Sequence, residues 1–170
     1  MIAGRAAAAA ALSALLLAGC GSSSEKPAAK PKATATAAAA PTTAPANDTS
    51  QKPTIKAGKA KPPKKLVVKD LVTGKGAAAK AGDTISVQYV GANYKDGKQF
   101  DASWDRGQPF QFQLGAGMVI PGWDKGIAGM KVGGRRELII PPKLAYGPAG
   151  SGPIGPNETL TFVVDLQQIG

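Results

Sequence analysis

Met118-Val119-Ile120-Pro121-Gly122-Trp123-Asp124-Lys125-Gly126-Ile127-Ala128-Gly129-Met130 is the stretch that decides the fold of this chain. It places an aliphatic pair and a tryptophan around a Pro-Gly corner, and proline is favoured in the first turn of a helix. Beyond the corner, apolar residues at i, i+4 and i+7 predict a short helix over residues 122–130. We expect Val119, Ile120 and Trp123 to meet at its start and to floor an apolar pocket.

The segments on either side of this helix alternate with the two-residue period of β-strands. Residues 84–90 alternate cleanly, and Lys95-Asp96-Gly97-Lys98 is a strong hairpin-turn signal. Further strands are predicted at 66–72, from Phe100 onward, and at 110–114, 135–140 and 160–166. Strands without regular helices between them predict an α+β domain, with an antiparallel sheet closing over one short helix.

The composition excludes several kinds of chemistry. The chain contains no histidine, and its single cysteine is Cys20. Hydrolysis by a serine or cysteine with a histidine base is therefore excluded, as is histidine-based metal chemistry. No glycine-rich phosphate loop precedes a helix, which argues against nucleotide binding. We expect no metal and no cofactor, and any catalysis must need little acid–base help.

Composition and charge divide the chain into a tail and a domain. Every aromatic residue lies beyond position 88, so only residues 63–170 can build a core. The segment 20–62 is rich in Ala, Pro, Thr and Lys and predicts a disordered linker. Of the net charge of +10, about half lies in this linker, and the domain shows no dense basic face with interleaved aromatics. We therefore expect a solvated tail, near an anionic membrane surface, and no nucleic-acid partner.

The first residues resemble a targeting signal rather than part of a folded domain. Arg5 precedes an apolar run from Ala6 to Ala18, which is short for a membrane span of about 20 residues. The run ends in Leu17-Ala18-Gly19-Cys20, which resembles the lipobox of bacterial lipoproteins. Residues 1–19 are thus predicted to be a signal peptide and Cys20 the lipidation site, anchoring the protein outside the cytoplasm. The alternative is a secreted protein with a stray thiol.

Five motifs, in order, give residues 64–170 a resemblance to FKBP-type peptidyl-prolyl isomerases, the proteins that bind tacrolimus and rapamycin. The motifs are Tyr89-Val90-Gly91, Asp96-Gly97-Lys98-Gln99-Phe100-Asp101-Ala102-Ser103, Pro109-Phe110-Gln111-Phe112, Val119-Ile120-Pro121-Gly122-Trp123 and Leu144-Ala145-Tyr146-Gly147. The resemblance implies a curved antiparallel sheet wrapped around a short helix, with a pocket between them. One departure lies in residues 147–156, where Ser151 stands near a histidine or an extra residue of many relatives.

The resemblance also implies a site. Trp123 would form the pocket floor, Asp101 would present a carboxylate at its edge, and Tyr146 would hold a peptide carbonyl. The implied catalytic residues are those three, and the implied substrate-binding residues are Tyr89, Phe100, Phe110, Val119, Ile120, Ile154 and Phe162. From the residues alone, the aromatic side chains could equally be core, and Asp101 could cap the turn that contains Ser103. Phe112, Val164 and Leu166 are predicted to be plain core.

The function that follows is acceleration of X–Pro rotation in exported polypeptides. The alternative is a module that binds proline segments, or a chaperone, with little turnover. We expect proline-containing polypeptides as partners, macrolides such as rapamycin or tacrolimus as ligands of the same pocket, and a monomer, because no extra helical or coiled segment is evident.

Overall fold

A computed structural model describes residues 48–170 of the chain. The predicted signal peptide, Cys20 and most of the predicted linker lie outside the described residues. Within residues 48–170, no helix is both long and apolar enough to cross a membrane.

The described residues form one antiparallel sheet of six strands with one short helix. Its elements are β1 (Val67–Val72), β2 (Thr84–Asn93), β3 (Gln99–Ala102), β4 (Phe110–Gln113), α1 (Pro121–Ile127), β5 (Arg135–Ile140) and β6 (Leu160–Ile169). The strand order is β1-β5-β6-β2-β3, and β4 pairs with the first half of β2. The predicted fold class is confirmed, and so is the hairpin turn, where Gly97 has a φ of 71°.

The long strands β2 and β6 are the centre of the sheet and pair along almost their whole length. Alternate residues of both strands enter the core, among them Ile85, Val87 and Leu160. Phe112, Val164 and Leu166 are almost completely buried in this cluster, as predicted for plain core residues. The core lies between the concave face of the sheet and α1.

Helix α1 sits close to the sheet because two of its residues have no side chain. A Cβ on Gly122 would lie 2.4 Å from Cγ2 of Ile140, and one on Gly126 would lie 2.7 Å from Cδ2 of Leu138. The predicted extension of the helix to Met130 is wrong. The helix ends at Ile127, because Ala128 is extended and Gly129 has a φ of 77°.

Residues 48–62, which the composition assigns to the linker, lie against the domain. The N–H of Gly58 donates to the carbonyl of Tyr94 at 2.7 Å, and Pro53 is buried. The guanidinium of Arg135, which is buried in an ion pair with Asp165, also donates to the carbonyl of Gln51 at 2.7 Å. Contacts with the domain therefore begin well before the predicted boundary at residue 63.

Candidate active site

A cavity of about 400 Å³ opens between α1 and the concave face of the sheet. Its walls are formed by residues of β2, β3, β4, β6, the start of α1 and two loops: Tyr89, Phe100, Asp101, Phe110, Gly117, Met118, Val119, Ile120, Trp123, Tyr146 and Phe162. The structure thus brings together nine of the ten predicted pocket residues. The exception is Ile154, which is predicted to bind substrate but is 93% buried in the core cluster and does not line the cavity.

Trp123 forms the floor of this cavity. Its side chain is almost completely buried, and its ring meets Tyr89 edge-on at a centroid distance of 5.0 Å and Phe162 at 5.3 Å. Phe110 stands 6.2 Å away at the open side, where it is partly exposed. Edge-to-face contacts of this kind are favourable and orient each ring. The result is an apolar box whose walls hold one another in place.

Gly91 makes room for two of these walls. It lies in β2, and a Cβ there would come within 2.7 Å of the Phe162 ring and 2.8 Å of the Phe100 ring. Those two rings pack edge-on at 5.6 Å directly over the glycine. Gly91 belongs to the Tyr89-Val90-Gly91 motif but was not predicted as a site residue, because its contribution is the side chain it lacks.

Asp101 is held at the cavity edge by two donors. The hydroxyl of Tyr89 donates to one carboxylate oxygen, and the guanidinium of Arg106 pairs with the other at 2.5 Å. Arg106 also donates to the Tyr89 hydroxyl at 2.9 Å and lies over the Tyr89 ring. Asp101 therefore does not cap the following turn, and Arg106 is its ion-pair partner. The neighbouring carboxylate of Asp105 forms its ion pair with Lys52.

The electrostatics of this group favour an un-ionised Tyr89. Burial, and then the hydrogen bond to Asp101, raise the pKa of Tyr89 to about 12. The pKa of Tyr146 is also raised, first by burial and then by the charge of Asp101. Both hydroxyls are protonated hydrogen-bond donors at neutral pH, as tyrosines ordinarily are, and the raised pKa values extend this to higher pH.

The segment 117–120 forms the side of the cavity that leads into α1. Asp124, one turn into the helix, accepts the N–H of Gly115 at 2.8 Å and that of Gly117 at 3.3 Å. This carboxylate fixes the loop that carries Met118 and Val119. Met118 was missed by the sequence analysis; it is 67% exposed, and a lone exposed methionine in a loop has no distinguishing pattern.

Several donors at the cavity make no hydrogen bond within residues 48–170, including the buried indole N–H of Trp123 at the floor and two donors of the wall and rim. The N–H of Ile120 lies immediately before the first residue of α1, and the Tyr146 hydroxyl lies on the partly exposed rim. Neither makes a hydrogen bond with another described residue. Both are thus available to the carbonyl groups of a bound peptide.

This apolar box, with free hydrogen-bond donors and no histidine or cysteine, agrees with the family that the sequence matches. Residues 75–167 match the family of FKBP-type peptidyl-prolyl cis-trans isomerases. This chain belongs to that family. It is an FKBP-type prolyl isomerase by its fold and by its relatives, and the family binds proline-containing substrates and macrolides such as FK506.

Individual relatives show how far the similarity extends. The FK506-binding protein of Streptomyces anulatus is 58% identical over 118 residues, which cover 68% of this chain and 95% of the relative. The probable FK506-binding protein of Corynebacterium glutamicum is 49% identical over 116 residues, covering 68% and 97%.

Solved structures agree with this assignment. FkpA from Escherichia coli is 44% identical with a TM-score of 0.58, and the match covers 68% of this chain and 51% of FkpA. AtFKBP13 is 38% identical with a TM-score of 0.60, covering 68% of this chain and 98% of that one.

Proposed function

We propose that this FKBP is a lipid-anchored prolyl isomerase that acts on exported polypeptides outside the cytoplasmic membrane. The observation that carries the enzymatic part is the Trp123 cavity, with the free donors of Ile120 and Tyr146 at its wall and rim. The part that concerns location is supported by Leu17-Ala18-Gly19-Cys20 at the end of an apolar run. The Pro- and Lys-rich segment that follows Cys20 supports a tether between anchor and domain.

The reaction needs no bond to be made or broken. Resonance opposes rotation about the X–Pro amide with a barrier of about 18–20 kcal/mol, and uncatalysed exchange takes tens to hundreds of seconds. Lowering that barrier by about 4 kcal/mol would speed the exchange by roughly a thousandfold. A chain without histidine can supply such a reduction, because proton transfer is not required.

The cavity can supply it by binding the twisted amide better than the planar one. The planar amide is the more charge-separated form, so dry aromatic walls around Trp123 disfavour it relative to the twisted form. The N–H of Ile120 and the hydroxyl of Tyr146 would donate to carbonyls of the peptide and hold the chain while the bond turns. Tyr146 is protonated at neutral pH, like an ordinary tyrosine, and burial raises its pKa further.

Asp101 has a positioning role in this scheme. Both of its carboxylate oxygens already accept hydrogen bonds, from Tyr89 and Arg106. A carboxylate so engaged is a poor general base. It fixes the Tyr89 wall against Trp123 and presents negative charge at the cavity edge.

The test of the activity uses residues 20–170 with Cys20→Ser, and follows cis-to-trans relaxation of an unstructured X–Pro peptide with and without rapamycin. We expect acceleration that rapamycin blocks and that Trp123→Leu abolishes. Leu166→Ala is the matched control, because it removes buried core volume away from the cavity. Folded protein with rapamycin binding but no acceleration would instead support the alternative, a proline-binding or chaperone module.

The location is tested separately, by expressing the full chain in a bacterium with a clickable fatty acid. We expect label in the membrane fraction and cleavage before Cys20, both lost in Cys20→Ala. An unlabelled, unprocessed chain in the cytosol would contradict the anchor and leave the isomerase result unaffected.

A further inference from the structure

Eight lysines lie together on one side of the domain, and none of them lines the cavity. Five of them, Lys56, Lys59, Lys61, Lys64 and Lys65, belong to the segment 56–65, which contains no acidic residue. The others are Lys95 and Lys98, in the β2–β3 turn, and Lys143, in a short 3-10 turn after β5. All eight are exposed. We call these residues the lysine surface.

The fold, rather than the sequence order, assembles this surface. Gly97 of the β2–β3 turn packs against Ala57, so close that a Cβ would lie 2.7 Å from the Ala57 nitrogen. Further along, the prolines at 62 and 63 face Pro141 and Pro142 across a groove of about 450 Å³, with Lys64 and Lys143 on its walls. The lysines of the predicted linker thus join those of the domain in one continuous patch.

The charge of the described chain is concentrated here. Residues 48–170 contain 17 Lys or Arg and 10 Asp or Glu, a net charge of +7. The lysine surface, with its two neighbouring carboxylates Asp96 and Glu158, holds eight of those cations and two of those anions, a net charge of +6. Four cations elsewhere form ion pairs, whereas no ion pair in residues 48–170 involves any of the eight lysines.

We propose that the lysine surface docks the domain on an anionic lipid bilayer. Lysines are compact point charges that suit a diffuse anionic surface, and each adds to attraction by anionic lipids. Nucleic-acid-binding surfaces commonly use arginine side chains and exposed aromatic rings. This surface contains no arginine, and its one aromatic residue, Tyr94, is buried, so a lipid bilayer is the better fit.

The chain that precedes the surface favours the same partner. Lys26, Lys30 and Lys32 stand between Cys20 and the first described residue, against a single Glu25. If Cys20 is lipidated, acyl chain and basic surface are the two signals that together give stable membrane attachment. The proposal does not require the lipid, because the surface would bind anionic bilayers without it.

Docking would also orient the active site. The segment 141–148 separates the lysine surface from the cavity: Lys143 and Pro148 line the groove, and Tyr146 between them lines the cavity. A bilayer bound to the lysine surface would therefore lie one loop away from the substrate rim. The cavity itself is not covered by this contact, so turnover of soluble peptides should be unchanged.

The experiment measures partition of residues 20–170, with Cys20→Ser, onto vesicles of phosphatidylcholine with or without one third phosphatidylglycerol. The test variant changes Lys56, Lys59, Lys61 and Lys64 to Gln. The matched control changes four exposed lysines outside the surface to Gln, and these are Lys75, Lys80, Lys125 and Lys131.

We expect binding to anionic vesicles only, and its loss when salt shortens the Debye length from about 10 Å at 0.1 M to about 3 Å at 1 M. Each lysine is expected to contribute about fivefold to the affinity for anionic vesicles. The test variant, which lacks four of them, should therefore bind at least about 50-fold more weakly, with unchanged isomerase activity. The control variant should lose far less affinity for anionic vesicles. Absence of binding at low salt, equal losses in both variants, or tighter binding to duplex DNA than to anionic vesicles would overturn the proposal.

Discussion

The position of α1 against β5 can be tested by adding one methyl group. In Gly122→Ala the new Cβ would lie 2.4 Å from Cγ2 of Ile140 and 2.8 Å from its Cδ1, where ordinary contact begins at 3.4 Å. The helix or the isoleucine must therefore give way by about 1 Å. Ile140 is completely buried and paired in the sheet, so most of the displacement falls on the helix.

The expected loss of stability follows from two opposing effects. Overpacking of a buried contact costs about 1–3 kcal/mol. Replacing glycine by alanine within a helix recovers up to about 1 kcal/mol. We expect a net decrease of about 1–2 kcal/mol in the free energy of unfolding, measured by chemical denaturation. Because Trp123 is the next residue, the cavity floor moves with the helix, and kcat/KM should fall as well.

A double-mutant cycle makes the reasoning refutable. Ile140→Ala removes the three atoms nearest to the new methyl group, at a cost of its own of about 2–5 kcal/mol. In that background Gly122→Ala should be neutral or stabilising, which gives a coupling energy of about 1–3 kcal/mol. Costs that add within about 0.5 kcal/mol would refute the close contact. Gly126→Ala, which meets Leu138 instead, is the matched control, with a similar loss of stability and a smaller loss of kcat/KM.

Three further predictions concern the hydrogen bonds around the cavity. A spectrophotometric titration should show one tyrosine that ionises near pH 12 and that is absent in Tyr89→Phe. Because the pKa of Tyr89 in the folded state is raised above 10, the stability that this shift contributes is complete below pH 10 and is lost as the pH rises to about 12. Asp101→Asn should lower the pKa of Tyr89, because the carboxylate charge helps to raise it. The same change should reduce kcat/KM about tenfold, because one positioning interaction is lost. The free energy of unfolding should change by less than about 1 kcal/mol, because the Asp101–Arg106 ion pair is exposed. Asp124→Ala should destabilise the protein by about 1–3 kcal/mol and raise KM more than it lowers kcat, because two loop N–H groups lose their acceptor; unchanged KM would contradict this role.

The sheet and most of the cavity could be predicted because their signals lie in side chains. Strands such as β2 and β6 alternate apolar and polar residues, and that alternation predicts which face of the strand is buried. The aromatic walls follow from ordered motifs around residues such as Phe100 and Trp123. These positions carry large side chains with one packing role each, so their pattern survives in the linear sequence.

Contacts made by the backbone could not be predicted in this way. Residues 48–62 read as a linker because their side chains are small, charged or proline. Besides the Lys52–Asp105 ion pair, the groups that hold them include the carbonyl of Gln51 and the N–H of Gly58, which leave no pattern in the sequence. The helix end was overestimated for a related reason. Met130 keeps the helical spacing and is buried, but the chain has already left the helix at Ala128.

The cavity shape depends as much on missing side chains as on the aromatic ones. Gly91 lets Phe100 and Phe162 stand over β2, and Gly122 lets α1 bring Trp123 beneath them. In each case the neighbouring atoms are too close for any Cβ, so the walls can take these positions only where glycine stands. A reaction that turns one bond needs a closely fitted enclosure more than an acid or a base. Steric exclusion of side chains at these glycines is therefore as direct a requirement for catalysis here as the donors at the rim.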